Sequence, residues 1–439
     1  MPPAEYSHSQ LSALAAKQID VGQRDVRSEE ARDSKETQCC VVGGGPAGIV
    51  LGLLLARQGV DVTVLEAHRD FDRDFRGDTI HPSTLELMNQ LGLAERLLQM
   101  PHGEVRTIQF ITREETFQLV KFERLKTKFP FIMTLPQALF LEFLAQEAKK
   151  YPAFHLLLGA NVQQLVTVND CTVGVRYRDV ESQWHEIRAP LTVAADGRFS
   201  KVRLLAGLEP IKTAPPMDVL WFRLPRKPAD APDAGFYVGG GHLVIVLNRG
   251  DQWQIAYAIL KGGYQQVRAQ GIEALQKALV ERVPWLADRA RSLEDWKHVS
   301  VLSVESSRLP FWYRPGLLLI GDAAHVMSPV GGVGINYAIQ DAVVTSNLLG
   351  DSLKQGKVSM EQLAAVQKRR ELPVKFIQKV QGYIQQRVVA AALQGDNPFR
   401  IPLPMRVIVR LPILRNFPAR LVGFGIRKVR IKTELAPAL

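Results

Sequence analysis

Apolar and polar positions alternate along the chain in patterns that change with region. "QCCVV" at 38–42 is a short apolar run, "IVLGLLLARQG" at 49–59 is apolar on nearly every face, and "VDVTVLEA" at 60–67 alternates β-branched residues before ending on an acid. These read as a buried strand, an interior helix and a second strand. One helix between two strands predicts parallel neighbours joined by a right-handed crossover. "TLELMNQLGLAERLLQM" at 84–100 has helical spacing and predicts a single amphipathic helix. "LPQALFLEFLAQEAKK" at 135–150 predicts another, with proline near its start. "RAPLTVAADG" runs as a strand into a turn, and "GLLLIGD" at 316–322 reads as a further parallel strand. Between about residues 213 and 307 the pattern turns β-rich. "GHLVIVLNRG" and "DQWQIAYAIL" there predict a hairpin across Arg249, Gly250 and Asp251.

The alternation of strands and helices, interrupted by a β-rich stretch, predicts an α/β fold. A chain of 439 residues is long for one core. The expected organisation is an unstructured leader over 1–36, a discontinuous α/β unit over 37–210 and 308–385, and an inserted antiparallel sheet over 211–307. Residues 104–133 are expected to contribute to that insertion, and 386–439 to form a helical, basic and apolar C-terminal region.

Composition adds little to the core picture. The chain is 46% hydrophobic and 23% charged, as in ordinary globular proteins. Its cysteines, Cys39, Cys40 and Cys171, include an adjacent pair that cannot open a disulfide framework, which points to a reducing, cytoplasmic setting. No Cys/His cluster suggests a metal. The leader lacks the basic start and apolar core of a signal peptide, and no apolar run reaches the roughly 20 residues of a membrane span. The net charge of +11 is local: seven Arg and two Lys, with no acid, fall between Pro398 and Thr433. Five prolines in that stretch forbid one long helix. Docking of its apolar positions on the body is the favoured reading, with peripheral membrane contact through 398–433 as the alternative. Sparse aromatics speak against nucleic acid.

The chemistry starts at Gly43-x-Gly45-x-x-Gly48, directly after a strand and before a helix. Backbone N–H groups at that helix start favour a diphosphate, and the glycines let the backbone close on it. Glu66 ends the next strand, where a carboxylate accepts from ribose hydroxyls. NAD and FAD share this fingerprint. Two later stretches choose between them: "VAADGRFSKVR", with Asp196, Gly197, Ser200 and Arg203, and "LLLIGDAAHVMSPVGGVGINYAIQDA", with Gly321, Asp322, Pro329, Gly331, Gly332, Gly334 and Asn336.

Together the three stretches resemble the p-hydroxybenzoate hydroxylase family, the class A FAD-dependent aromatic monooxygenases. The resemblance runs over about residues 38–385 and implies a Rossmann-like FAD-binding unit with a β-sheet substrate layer. It implies that Gly43, Gly45, Pro46, Ala47 and Gly48 hold the diphosphate, with Glu66 on the adenosine ribose. Arg76 and Gln137 would contact the linking region, Gly321 and Asp322 the ribityl chain, and Asp196 with Gly197 both FAD and NAD(P)H. Free N–H groups at Gly334, Ile335 and Asn336 would face the flavin edge that becomes negative on reduction. Pro329, Gly331 and Gly332 would lie by its reactive face. The implied reaction takes NAD(P)H as co-substrate and O2, and hydroxylates an aromatic or polyketide-like small molecule through a flavin C4a-hydroperoxide.

Val333 departs from the family, many of whose members carry a long polar side chain there. His325 reads as structural rather than catalytic. His81 and Asp78 serve either the ring or loop capping, and Trp221, Phe236, Tyr237, Tyr257 and Trp312 either line a pocket or fill a core. A flavin-dependent halogenase, a reductase of a prenyl or lipid substrate and a non-enzymatic flavin-binding regulator are the rival readings; the halogenase WxWxIP signature is absent. The sequence leaves open the substrate, the choice of NADH or NADPH, and the oligomeric state.

Overall fold

The computed structural model describes residues 34–72, 78–230, 234–393, 403–411 and 414–432. Residues 1–33 of the expected leader, Arg76 and residues 394–402 of the tail lie outside them.

The first two strands, β1 (Cys39–Val42) and β2 (Val62–Glu66), are parallel neighbours joined by helix α1 (Pro46–Arg57). Proline at the first helical position suits α1, because its missing N–H would have no intrahelical partner there. Helix α2 (Gln137–Ala148) precedes β3 (Phe154–Leu158), which extends the sheet beyond β2. On the other side of β1 lie β4 (Thr192–Ala194) and β5 (Leu317–Leu319), both parallel to it, and a short antiparallel edge at Tyr313–Arg314. Period-two alternation sorts the two cores. Cys39 and Val41 pack with α1, α2 and α3 (Gly334–Lys354), whereas Cys40 and Val42 pack with a separate four-stranded sheet on the opposite face.

Two local expectations need correction. The expected single helix at 84–100 is two, Pro82–Gln90 and Ala94–Leu98, because Gly92 takes a left-handed φ of +73° between them. Ser34–Glu36, expected to end an unstructured leader, forms an edge strand parallel to Trp184–Arg188.

The β-rich stretch builds a seven-stranded sheet ordered Ser300–Leu302, Met217–Pro225, Gln252–Leu260, His242–Asn248, Ala234–Gly239, Thr107–Ile111 and Thr116–Lys121. Every pairing is antiparallel except that of Ala234–Gly239 with Thr107–Ile111. One face, with Leu220, Phe222, Ile255 and Tyr257, packs on the helix Ile272–Arg282. The other carries Val219, Ala256, Ala258 and Phe110, and meets Val330 together with Val388 and Val389. The last two belong to a π-helical turn, Gln385–Val389, that continues the long helix α4 (Met360–Ile384).

The tail folds back on the α/β body. In the helix Phe417–Phe424, Ala419, Leu421 and Phe424 are buried. Ile431 N–H donates to Gln90 Oε1 (2.9 Å), and Lys432 Nζ pairs with Asp351 (2.9 Å). Residues 419–432 thus dock on the protein itself, whereas Leu403, Val407, Leu411, Leu414 and Phe417 are exposed. Among the described residues no helix is long and apolar enough to cross a membrane.

The docked tail reaches His81, which is fully buried and donates from Nδ1 to the Val422 carbonyl (2.7 Å). Burial pushes its pKa down from 6.5 to about 4. The folded state therefore holds the neutral ring, while the unfolded chain takes up a proton below pH 6.5, so stability falls as pH drops from about 6.5 toward 4. Urea unfolding at pH 7, 6 and 5 should show this loss, about 2 kcal/mol between pH 7 and 5, and His81→Asn, which keeps a donor without titrating, should flatten it.

Candidate functional site

The turn between β1 and α1 is built by close approach. Gly43 sits at φ +107°, and a Cβ there would come within 2.4 Å of the Ala195 carbonyl oxygen. A Cβ on Gly48 would lie 1.9 Å from the Gly43 carbonyl oxygen, so α1 can only sit this near β1 with glycine at 48. Gly45 differs: a Cβ there meets nothing within 4 Å. It is the N-cap of α1, and no side chain caps the helix. The open backbone and uncapped N–H groups fit a diphosphate. Glu66 is buried behind the loop; its Oε2 accepts from Gly44 N–H (2.9 Å) and its Oε1 from His68 N–H (2.9 Å). A carboxylate has further lone pairs for a ribose hydroxyl, so Glu66 both shapes the loop and suits the expected role.

The three sequence stretches meet at one point. Gly321, at φ +58°, is wedged between helix starts: a Cβ on it would lie 3.2 Å from Ala338 Cβ on α3 and 3.4 Å from Ala47 Cβ on α1. Arg203, from the second stretch, donates to the carbonyls of Ala323 (3.0 Å) and Arg198 (2.6 Å), bracing the turn that holds Asp322. Asp196 accepts from Val202 N–H through Oδ2 (3.0 Å), while its buried Oδ1 has no protein partner. Burial pushes its carboxyl up, against hydrogen bonds from Ser200 and Val202.

Asp341 on α3, wholly buried, ties this region together. Its Oδ2 accepts from Gly321 N–H (3.0 Å) and pairs with His325 Nε2 (2.6 Å), and its Oδ1 accepts from Arg370 Nε (2.6 Å) on α4. Burial alone would raise its pKa, but His325 and Arg370 outweigh that and hold it below the ordinary range. His325 is thus a structural partner, sealed in and packed beside Trp312 at 4.8 Å.

The start of α3 is also without a side-chain cap, since Val333 at the N-cap is buried and apolar. The N–H groups of Gly334, Ile335 and Asn336 therefore fall among the donors a helix leaves unpaired within itself. The Asn336 side chain is committed elsewhere: Oδ1 accepts from His81 N–H (2.9 Å) and Thr84 Oγ1 (2.8 Å), and Nδ2 donates to the Thr79 carbonyl (3.2 Å). Gly331 and Gly332 take φ of +82° and +61°, and a Cβ on Gly332 would strike Thr79 Oγ1 at 2.6 Å. Thr79 in turn donates to the Gly332 carbonyl (3.0 Å).

Gln137 begins α2 and lines a cleft of about 300 Å³ with Asp78, Arg223, Arg249 and Gln252. Its N–H donates to Asp78 Oδ1 (3.2 Å), and Asp78 faces Arg249 Nη2 at 3.3 Å. Burial raises the Asp78 pKa, with Arg249 opposing. This pair bridges the α/β body to the predicted hairpin turn of the seven-stranded sheet. Of the five aromatic candidates, Trp221 and Phe236 join the sheet face that contains Val330, Tyr237 and Tyr257 join the opposite face, and Trp312 packs under the α/β sheet. Sequence reasoning missed Asp341, Arg370 and the glutamines of α4. Among the described residues no group of three or more His, Cys, Asp or Glu side chains could hold a metal.

Two uncapped helix starts meeting over a glycine turn, one at an open glycine loop and one at a glycine-rich edge, fit a flavin dinucleotide. The chain belongs to the FAD binding domain family, whose model matches residues 36–379, and it is an FAD-dependent monooxygenase. It is 32% identical over 406 residues to a 6-methylpretetramide 4-monooxygenase of Streptomyces rimosus, covering 92% of this chain and 96% of that protein. Among solved structures, an anhydrotetracycline hydroxylase from Streptomyces rimosus superposes with a TM-score of 0.69 at 22% identity, over 88% of this chain and 76% of that one. A flavin-dependent brominase superposes with a TM-score of 0.71 at 16% identity, over 90% of this chain and 94% of that one. At such identities the two structures speak for the fold alone.

Two outcomes follow from the geometry. Gly45→Ala should leave the thermal stability of the apoprotein unchanged and weaken FAD binding about tenfold or more, read by quenching of FAD fluorescence, whereas Gly48→Ala should lower stability as well. Asp341→Ala strands a buried guanidinium and should cost about 3–5 kcal/mol in urea unfolding.

Proposed function

We propose that this monooxygenase uses NAD(P)H and O2 to hydroxylate an aromatic, polyketide-like small molecule lying between the glycine-rich loop and the seven-stranded sheet. The observation that carries this reading is Val330, which belongs at once to the loop and to the apolar cluster on the sheet face. Cross-strand pairing sets Trp221, Ala256, Ile245, Phe236 and Phe110 in one row across five strands of that face. Neighbouring strands are about 4.8 Å apart, so the row is a continuous apolar surface, low at Ala256 and its same-face neighbour Ala258. A planar ring system suits it. The name of the Streptomyces rimosus relative, a 6-methylpretetramide 4-monooxygenase, points the same way.

When bound, FAD would accept a hydride and, once reduced, activate O2 for transfer of one oxygen atom. The residues described above do the rest. The α1 start and Gly45 would hold the diphosphate, and Asp322 and Gln137 would serve the linking chain. The uncapped α3 start offers N–H groups to the ring edge that becomes negative on reduction. Pro329, Gly331 and Gly332 would bring backbone against the ring, and the apolar cluster around Val330 would exclude water. No side-chain base is assigned.

The test supplies NADPH or NADH and 18O-labelled O2 with hydroxylated naphthacenes and anthraquinones. One labelled atom per product molecule, with matching NAD(P)H oxidation, is expected. Label from water, or a reduced or halogenated product, would overturn the reading.

A further inference from the structure

We propose that Gln381 and Gln385 are positioning residues for the cofactor-facing loop, fixing it from the side away from the ring. The assignment rests on the proposed role of residues 329–332. Gln378 and Gln381 on α4, and Gln385 at the start of its π-turn, lie along one face, and all three are buried, against the usual exposure of glutamine. Gln381 and Gln385 spend their amide N–H groups on the segment that leads into the glycines, and Gln378 reaches its start. Gln378 Nε2 donates to the carbonyls of Ser307 (2.9 Å) and Val326 (3.0 Å). Gln381 Nε2 donates to those of Ser328 (2.9 Å) and Val330 (2.8 Å). Gln385 Nε2 reaches Ser328 Oγ (2.8 Å), and that oxygen accepts from Val330 N–H (3.2 Å).

The backbone accounting closes around Pro329. Its own nitrogen carries no hydrogen, and its carbonyl accepts from Gly332 N–H (3.0 Å). Ser328 and Val330 then have their carbonyls on Gln381, and the Val330 N–H is held through Ser328 by Gln385. Two amides on one helix thus determine the height of the loop without touching the ring. An irregular buried segment must find such partners somewhere; here they come from a single helix. Beyond Gln385 that helix widens into the π-turn whose Val388 and Val389 pack against the sheet face. The same element sets both walls of the proposed substrate space.

Gln381→Met and Gln385→Met keep the volume and remove the donors. Gln367→Met serves as control, because Gln367 lies on the same helix but bonds the Pro310 carbonyl and Trp312 N–H, away from the loop. FAD binding to the apoproteins is measured by fluorescence quenching, the ring environment by visible circular dichroism of bound FAD, and folding by thermal melting. The two loop variants should bind FAD about tenfold more weakly, with an altered dichroism band, and Gln367→Met should stay within about twofold of wild type even if its melting point falls. Gln381→Glu should be no better than Gln381→Met, since a carboxylate would face two carbonyl oxygens. Ser328→Ala, which removes the Gln385 contact at little cost in volume, should shift FAD affinity in the same direction and serves if a glutamine variant does not fold. Loop variants with wild-type FAD affinity and dichroism, losing only thermal stability as the control does, would overturn the assignment. A wild-type apoprotein that takes up no FAD would overturn the cofactor reading itself, and this assignment with it.

Discussion

The buried carboxylate of Asp341 is the constraint on which the site geometry depends. One side chain holds the turn after β5 through Gly321 N–H, pairs with His325 beside it, and takes the Arg370 guanidinium of α4. A bare carboxylate in that position would be expensive, and a bare guanidinium more so. Each group makes the others tolerable, so α3, α4 and the Gly321 turn have one mutual arrangement rather than several. Because Gly321 is also in contact range of Ala47, that arrangement carries through to the diphosphate loop. Two helix starts that are far apart in sequence are thereby held in one frame.

How much of this was legible depended on whether the signal was local. The strands β1, β2, β4 and β5 were readable from short apolar runs, and the Gly43–Gly48 turn from its glycines. The sheet of 217–260 was readable because its strands are short runs rich in β-branched and aromatic residues, with turn residues between them. The break at Gly92 was not, since a glycine in a helical pattern shows its left-handed φ only in three dimensions. Arg370 and Gln381 were missed for a deeper reason: a helical pattern sorts polar residues to solvent, and both are buried polar groups serving distant backbone. For Asn336, the motif suggested backbone donors, while its side chain serves His81 and Thr84, more than 250 positions away. The aromatic candidates held a signal that went unused. Phe236 and Tyr237 are adjacent in a strand and must face opposite ways, so at most one of the pair could line the proposed substrate space.

The two main sheets divide the work. The parallel sheet offers helix starts and tight glycine turns, which suit charge and a rigid dinucleotide. The seven-stranded sheet offers a broad surface whose character changes strand by strand with the alternating side chains. Helix α4 joins them, through Arg370 near its middle and through its amide face and π-turn at the far end. Variation in the row from Trp221 to Phe110 can therefore change that surface without disturbing the glycine turns of the parallel sheet.

The contact between His81 and the Val422 carbonyl links residues 341 positions apart. Contacts of such separation carry the largest loop-closure cost and form late. On a ribosome, the α/β sheet can start to gather once β5 has emerged, but the segment holding Thr79, His81 and Asn336 lacks its backing until the helix Phe417–Phe424 has been synthesised and docked. The edge around His81 thus waits for a helix whose Val422 is synthesised 341 residues later.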